Sequence, residues 1–190
     1  MPPFEYLLLL ASVILGLAAC ELAIGCNRLF SVRQQIRWDW LSPLAAVLVF
    51  LKLVTQWWAW HDAVSIASGI TFEMYLAVLV GAVLLFMMAA AALPSGEVSG
   101  DVLDLRVYYA TTSRRFWILF TLHFLVAVGT SIWMQAALEH ARLPLASPAY
   151  LIIPVGVSLT LTRNRLWHTA ALVTLCAVYF LQYLGHSLSG

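Results

Sequence analysis

The sequence predicts an all-α, polytopic membrane helix bundle of six transmembrane helices, with both termini on the outer side. Three observations carry this reading. Of 190 residues, 63% are hydrophobic and only 10% charged, with mean hydropathy +0.90, whereas a soluble domain has about 45–50% apolar and about 25% charged residues. Six stretches meet or approach the roughly 20 apolar helical residues that span a bilayer core of about 30 Å. The basic residues collect in alternate loops.

Taken in order, the first helix is expected over Phe4–Cys26, closed by Asn27-Arg28. The second covers Leu41–Trp60, with Pro43 in its first turn, where a missing N–H costs little. The third runs Phe72–Leu93 and stops at Pro94-Ser95-Gly96. The fourth is Phe116–Leu138, the fifth the short Ala149–Thr162 carrying Pro154, and the sixth Leu166–Leu184. Arg163 and Arg165 keep the last two apart, because arginines at bilayer depth are costly. The whole chain, 1–190, reads as one integral membrane domain.

The longest connection, 94–115, is expected on the inner surface. It is read either as an irregular loop or as a short surface helix capped by Ser99 or Asp101, with Leu105, Tyr108 and Tyr109 on one side.

Orientation follows from the arginines. Arg28, Arg33 and Arg37, then Arg106, Arg114 and Arg115, then Arg163 and Arg165 make eight of the ten basic residues, all in odd-numbered loops. Only Arg142 lies on the other side, and Lys52 is inside a helix. Basic loops stay in the cytoplasm, so the expected location is a bacterial inner membrane, with the termini outside. Tryptophans agree as a headgroup belt: Trp38, Trp40, Trp117 and Trp167 at inner ends, and Trp57, Trp58 and Trp60 at an outer end.

Leu17-Ala18-Ala19-Cys20 has the look of a lipoprotein cleavage box. The acidic start Met1–Glu5 lacks the basic region of a signal peptide, so a retained helix is expected. Cys20, Cys26 and Cys176 read as small buried hydrophobes. Asn27-Arg28-Leu29 recurs as Asn164-Arg165-Leu166; this reads as an interfacial preference rather than a repeat. Ser12, Gly16 and Cys20 form a small-residue stripe that suits close helix packing.

The strings Cys26-Asn27-Arg28-Leu29-Phe30, Arg37-Trp38-Asp39-Trp40, Gln56-Trp57-Trp58 and Asp104-Leu105-Arg106 running to Arg115-Phe116-Trp117 resemble a family of uncharacterised small multi-pass bacterial membrane proteins. The resemblance spans the first two-thirds of the chain. It implies a membrane fold and supplies no activity and no site residues.

Chemistry is sought among polar groups at membrane depth, where a charge costs several kcal/mol unless it faces protein or water. Glu21, Lys52, Glu73 and His123 lie inside the apolar stretches. At 1.5 Å per residue, Glu21 is about 8–9 Å and His123 about 10 Å from the inner ends of their helices, and Lys52 about 16 Å. Glu73 lies near the outer surface. Glu21 is therefore expected to meet either His123 or Lys52. Lys52, Thr55, Gln56 and Ala59 share one helical face.

Glu21, Lys52, Gln56 and His123 form the candidate polar path, with Pro154 as the candidate gate. Two readings stay open for these four: a transport path, or a packing network of ion pairs and hydrogen bonds. His61, His140 and His186, beside Asp62 and Glu139, are weak metal candidates without ligand spacing.

The favoured function is conduction or transport of an ion, proton or small solute by a homo-oligomer in the lipid bilayer. The alternatives are a non-transporting scaffold or accessory subunit, and a membrane-embedded metalloenzyme. No cofactor motif is present, and the net charge of +1 gives no pull towards nucleic acid.

Overall fold

The computed structural model describes residues 3–63, 71–94, 103–137 and 149–183. They form six α-helices: α1 (Pro3–Ser31), α2 (Leu41–Ala63), α3 (Phe72–Ala92), α4 (Leu105–Ala137), α5 (Ala149–Leu161) and α6 (Arg165–Tyr183). Four contain stretches long and apolar enough to cross a membrane: Tyr6–Ser31, Leu41–Trp60, Phe72–Ala92 and Leu105–Trp133. The apolar parts of α5 and α6, Leu151–Leu161 and Arg165–Leu181, are shorter. The 13 residues of α5 rise only about 20 Å.

Two helix ends differ from the sequence expectation. The first helix continues past Cys26 to Ser31, and its last turn includes Arg28. The fourth begins at Leu105, so residues 105–115 are not loop but the opening turns of a 33-residue helix. A helix satisfies its own backbone groups in water as well as in lipid, so it need not stop where hydropathy does. Its start is set by Asp104, whose Oδ1 accepts the N–H groups of Arg106 at 2.9 Å and Val107 at 3.1 Å. The expected caps Ser99 and Asp101 lie outside the described residues.

The approach to that helix is also ordered. Two short strands, β1 (Ile36–Arg37) and β2 (Leu103–Asp104), pair in parallel, Ile36 beside Leu103 and Arg37 beside Asp104. They clip the α1–α2 turn to the entry of α4.

Helix α3 packs extensively against α1 and α4 on its two sides. The buried stripe of α1 is Leu7, Ala11, Leu15, Ala18, Leu22, Gly25 and Leu29, a three-four spacing whose small members recur every seven residues. It packs on α3, whose buried residues include Ala82, Leu85, Met88, Ala89 and Ala92. The interface is therefore not the expected Ser12–Gly16–Cys20 stripe, since Gly16 and Cys20 are exposed. At Gly25 the helices come so close that a Cβ would stand 2.8 Å from Leu93 Cβ.

The remaining helices pair differently. α5 leans on α4, and α6 leans on α2, while α5 and α6 barely touch. Consecutive helices that lean on different neighbours leave a gap between the pairs. That gap positions the candidate site.

Candidate functional site

A cavity of about 500 Å³ fills the gap between α2, α4, α5 and α6. Its volume falls in the usual range for small-molecule pockets, about 300–1,000 Å³. The walls are mostly apolar, with Phe124, Ile152 and Val155 among them. Lys52 brings the cationic group, from the middle of α2. Its Nζ lies 5.2 Å from the Phe124 ring centroid and 5.7 Å from that of Tyr179. Two ring faces thus replace the carboxylate that would ordinarily hold a buried ammonium.

Among the described residues no carboxylate pairs with Lys52, and Glu21 forms no ion pair with Lys52 or with His123. Glu21 lies half-buried on α1, a helix that packs chiefly on α3. His123 is 2% exposed. Its Nδ1 is 3.1 Å from the Gly81 carbonyl. A carbonyl only accepts, so Nδ1 carries the proton and donates. Nε2 is then an acceptor, and it is buried without a partner among the described residues. The His123 ring stands edge-on to Phe124, with ring centroids 5.7 Å apart.

Of the four candidate path residues, Lys52 and His123 share a neighbour: both stand against the Phe124 ring. Gln56 is half-buried but does not line the cavity; Thr55 and Ala59 do. Pro154 sits within a continuous α5 with its ring exposed, while Leu151, Ile152 and Val155 form that wall. The His61 side chain, His140 and His186 lie outside the described residues. Among the described residues no three His, Cys, Asp or Glu side chains gather into a metal-binding group.

The end of this gap near the α5–α6 turn is tied by groups the sequence did not single out together. The Trp167 indole N–H donates to Ser158 Oγ at 3.0 Å, bridging α6 and α5 where they otherwise diverge. Trp167 also lines the cavity. The next residue on α6, His168, is buried. Its Nε2–H donates to the Thr162 carbonyl at 2.9 Å, which leaves Nδ1 as the acceptor. Tyr109 Oη at 2.9 Å and Trp117 Nε1 at 3.1 Å both donate to that nitrogen.

Trp117, expected in the headgroup belt, is instead completely buried. Its indole N–H has two acceptors in the core, His168 Nδ1 and Tyr109 Oη. Trp40, at 86% exposed, does fit a belt position.

Arg165 opens α6 and its Nη2 reaches both carboxylate oxygens of Asp39. The sequence signal for this pair was an acid inserted between two interfacial tryptophans, Trp38 and Trp40, in an otherwise basic turn.

These features define a class: an all-α protein, four of whose helices carry stretches long and apolar enough to cross a membrane, with a mostly apolar cavity lined by one lysine. Comparison with protein-family models, with curated proteins and with solved structures returns no match.

Proposed function

We propose that the chain is a multi-pass transporter of the bacterial inner membrane, with six spans and its arginine-rich end in the cytoplasm. Its solute is a small amphipathic anion held by Lys52. The observation that carries the reading is the Lys52 ammonium in a cavity of about 500 Å³ with no carboxylate beside it among the described residues. A fixed positive charge repels metal cations and protonated amines. Apolar walls favour the tail of a solute whose anionic head reaches Nζ. The aromatic faces of Phe124 and Tyr179 hold the ammonium in place until that head arrives.

The Ser158–Trp167 bridge serves as the gate in this reading, in place of Pro154. It is a single exposed hydrogen bond between two helices that otherwise barely meet, so it breaks at small cost.

The test is uptake of octanesulfonate, a permanently charged amphipathic anion, into liposomes containing the purified chain. Uptake above that of protein-free liposomes, abolished by Lys52→Met, supports the reading. No uptake above that baseline, or equal uptake by Lys52→Met, overturns it.

A further inference from the structure

A second cavity, of about 880 Å³, lies at the arginine-rich end of the same gap. One wall is α4: Arg106, Tyr109, Ala110, Ser113 and Arg114 stand at i, i+3, i+4, i+7 and i+8 on one face, with Thr111 beside them. The opposite wall is the end of α5 and the turn into α6, including Arg163, Arg165 and His168. None of the residues lining it is acidic.

The charges are not equally available. Arg165 spends Nη2 on Asp39. Arg106, Arg114 and Arg163 form no ion pair among the described residues. His168 and Tyr109 are committed to each other at the cavity floor. The two helix N-termini nearby are capped by side chains. Asp104 caps α4, and the Asn164 side chain accepts the Leu166 N–H of α6 at 3.0 Å. Recognition therefore falls to three guanidinium groups converging from two elements. Planar guanidinium forks match the oxygens of a phosphate group, and basic pockets between helices at the membrane surface suit phosphate head groups. The volume exceeds what a bare phosphate needs and leaves room for the group that carries it.

We propose that this cavity is a binding site for a phosphate-bearing anion, held by Arg106, Arg114 and Arg163. The anion comes either from the head group of an anionic phospholipid or from a free phosphate compound. The site does not depend on solute transport through the Lys52 cavity: binding here is measurable with no flux, and flux is possible with this site lost.

The experiment uses the purified full chain and two probes. Native mass spectrometry counts phosphatidylglycerol retained against phosphatidylcholine. Thermal unfolding in phosphatidylcholine nanodiscs is followed as inorganic phosphate replaces chloride at constant ionic strength. One retained phosphatidylglycerol assigns the lipid source. A saturable rise in unfolding temperature with phosphate assigns the free source.

In either case Arg106→Gln/Arg163→Gln weakens binding about tenfold or more. The control Arg33→Gln/Arg115→Gln removes two exposed arginines outside the cavity and changes it less than about twofold. Arg114→Gln is an independent single-site check, expected to weaken binding without affecting folding, because its side chain is exposed. The proposal is overturned if neither probe binds above its reference. It is equally overturned if both double variants lose binding alike, which would mark diffuse surface charge.

Discussion

The Arg165 Nη2 atom lies 2.7 Å and 2.9 Å from the two carboxylate oxygens of Asp39, joining residues 126 positions apart in the chain. Asp39 is 8% exposed and the Arg165 side chain 45%. The pair fixes the turn before α2 to the first residue of α6, the two helices that pack along one side of the cavity. Asp39→Asn leaves a guanidinium without its charge partner at a half-screened site. The expected loss is about 1–2 kcal/mol, below the value for a fully buried pair. A double-mutant cycle with Arg165→Gln, read by thermal unfolding, should return a coupling of that size. Additive losses would show that the contact contributes nothing to the fold.

His168 carries three hydrogen bonds and Tyr109 fewer, which orders the expected costs. His168→Leu strands the Trp117 indole N–H, the Tyr109 hydroxyl and the Thr162 carbonyl in a buried place. Each stranded group costs about 1–3 kcal/mol, moderated where Trp117 and Tyr109 still satisfy each other. Tyr109→Phe removes one hydroxyl while Trp117 keeps His168 as acceptor, and should cost about 1 kcal/mol. Unfolding midpoints in one detergent decide the order. If Tyr109→Phe proves as damaging as His168→Leu, the network is not centred on the histidine.

Much of this arrangement was legible in the apolar stretches themselves. The starts of α2, α3 and α5 fall where hydropathy and proline place them, because a membrane segment has to be apolar along its whole length. The end of α1 and the start of α4 were not, because both run beyond the apolar stretch, where capping and strand pairing set the boundary. Asp104 is the residue that marks that start, and nothing in its one-dimensional surroundings ranks it above Asp101.

Lys52 stood out as a charge at mid-helix. Its ring partners Phe124 and Tyr179 come from α4 and α6, so they depend on which helices touch. Arg165 read only as a topology signal for the same reason: Asp39 is distant in the chain. A glutamate at a plausible depth, Glu21, drew the pairing instead. Depth along a helix says nothing about direction around it, and α1 turns its buried stripe to α3.

The α1–α3 contact separates two glycines that look alike in sequence. At Gly25 an added Cβ would meet Leu93 Cβ at 2.8 Å, and that atom belongs to the backbone end of its side chain. Gly16, part of the stripe the sequence favoured, has nothing within 4 Å of such a carbon. Gly25→Ala should therefore destabilise by about 1–3 kcal/mol by overpacking. Gly16→Ala should stay within about 0.5 kcal/mol of the parent. Thermal unfolding of both variants in the same detergent is the check. A larger loss at Gly16 would mean that the Ser12–Gly16–Cys20 face is covered in the native assembly.

The sign of one stability change separates a functional lysine from a structural one. Removing an ammonium from water carries an effective penalty of several kcal/mol. Against this, each desolvated aromatic face returns about 2 kcal/mol, and here the rings stand 5.2 Å and 5.7 Å away, with no carboxylate among the described residues to add to them. Lys52 thus sits in the folded chain at little net gain or at a cost. Lys52→Met keeps the volume and the apolar stem but discards the charge, so the unfolding midpoint should hold or rise while octanesulfonate uptake is lost. A residue whose removal stabilises the fold and abolishes uptake is held for the solute. If instead Lys52→Met lowers the midpoint by several degrees, the ammonium and the rings of Phe124 and Tyr179 form a structural tie between α2, α4 and α6. Loss of uptake in that variant would then reflect a loosened bundle rather than a missing anion contact.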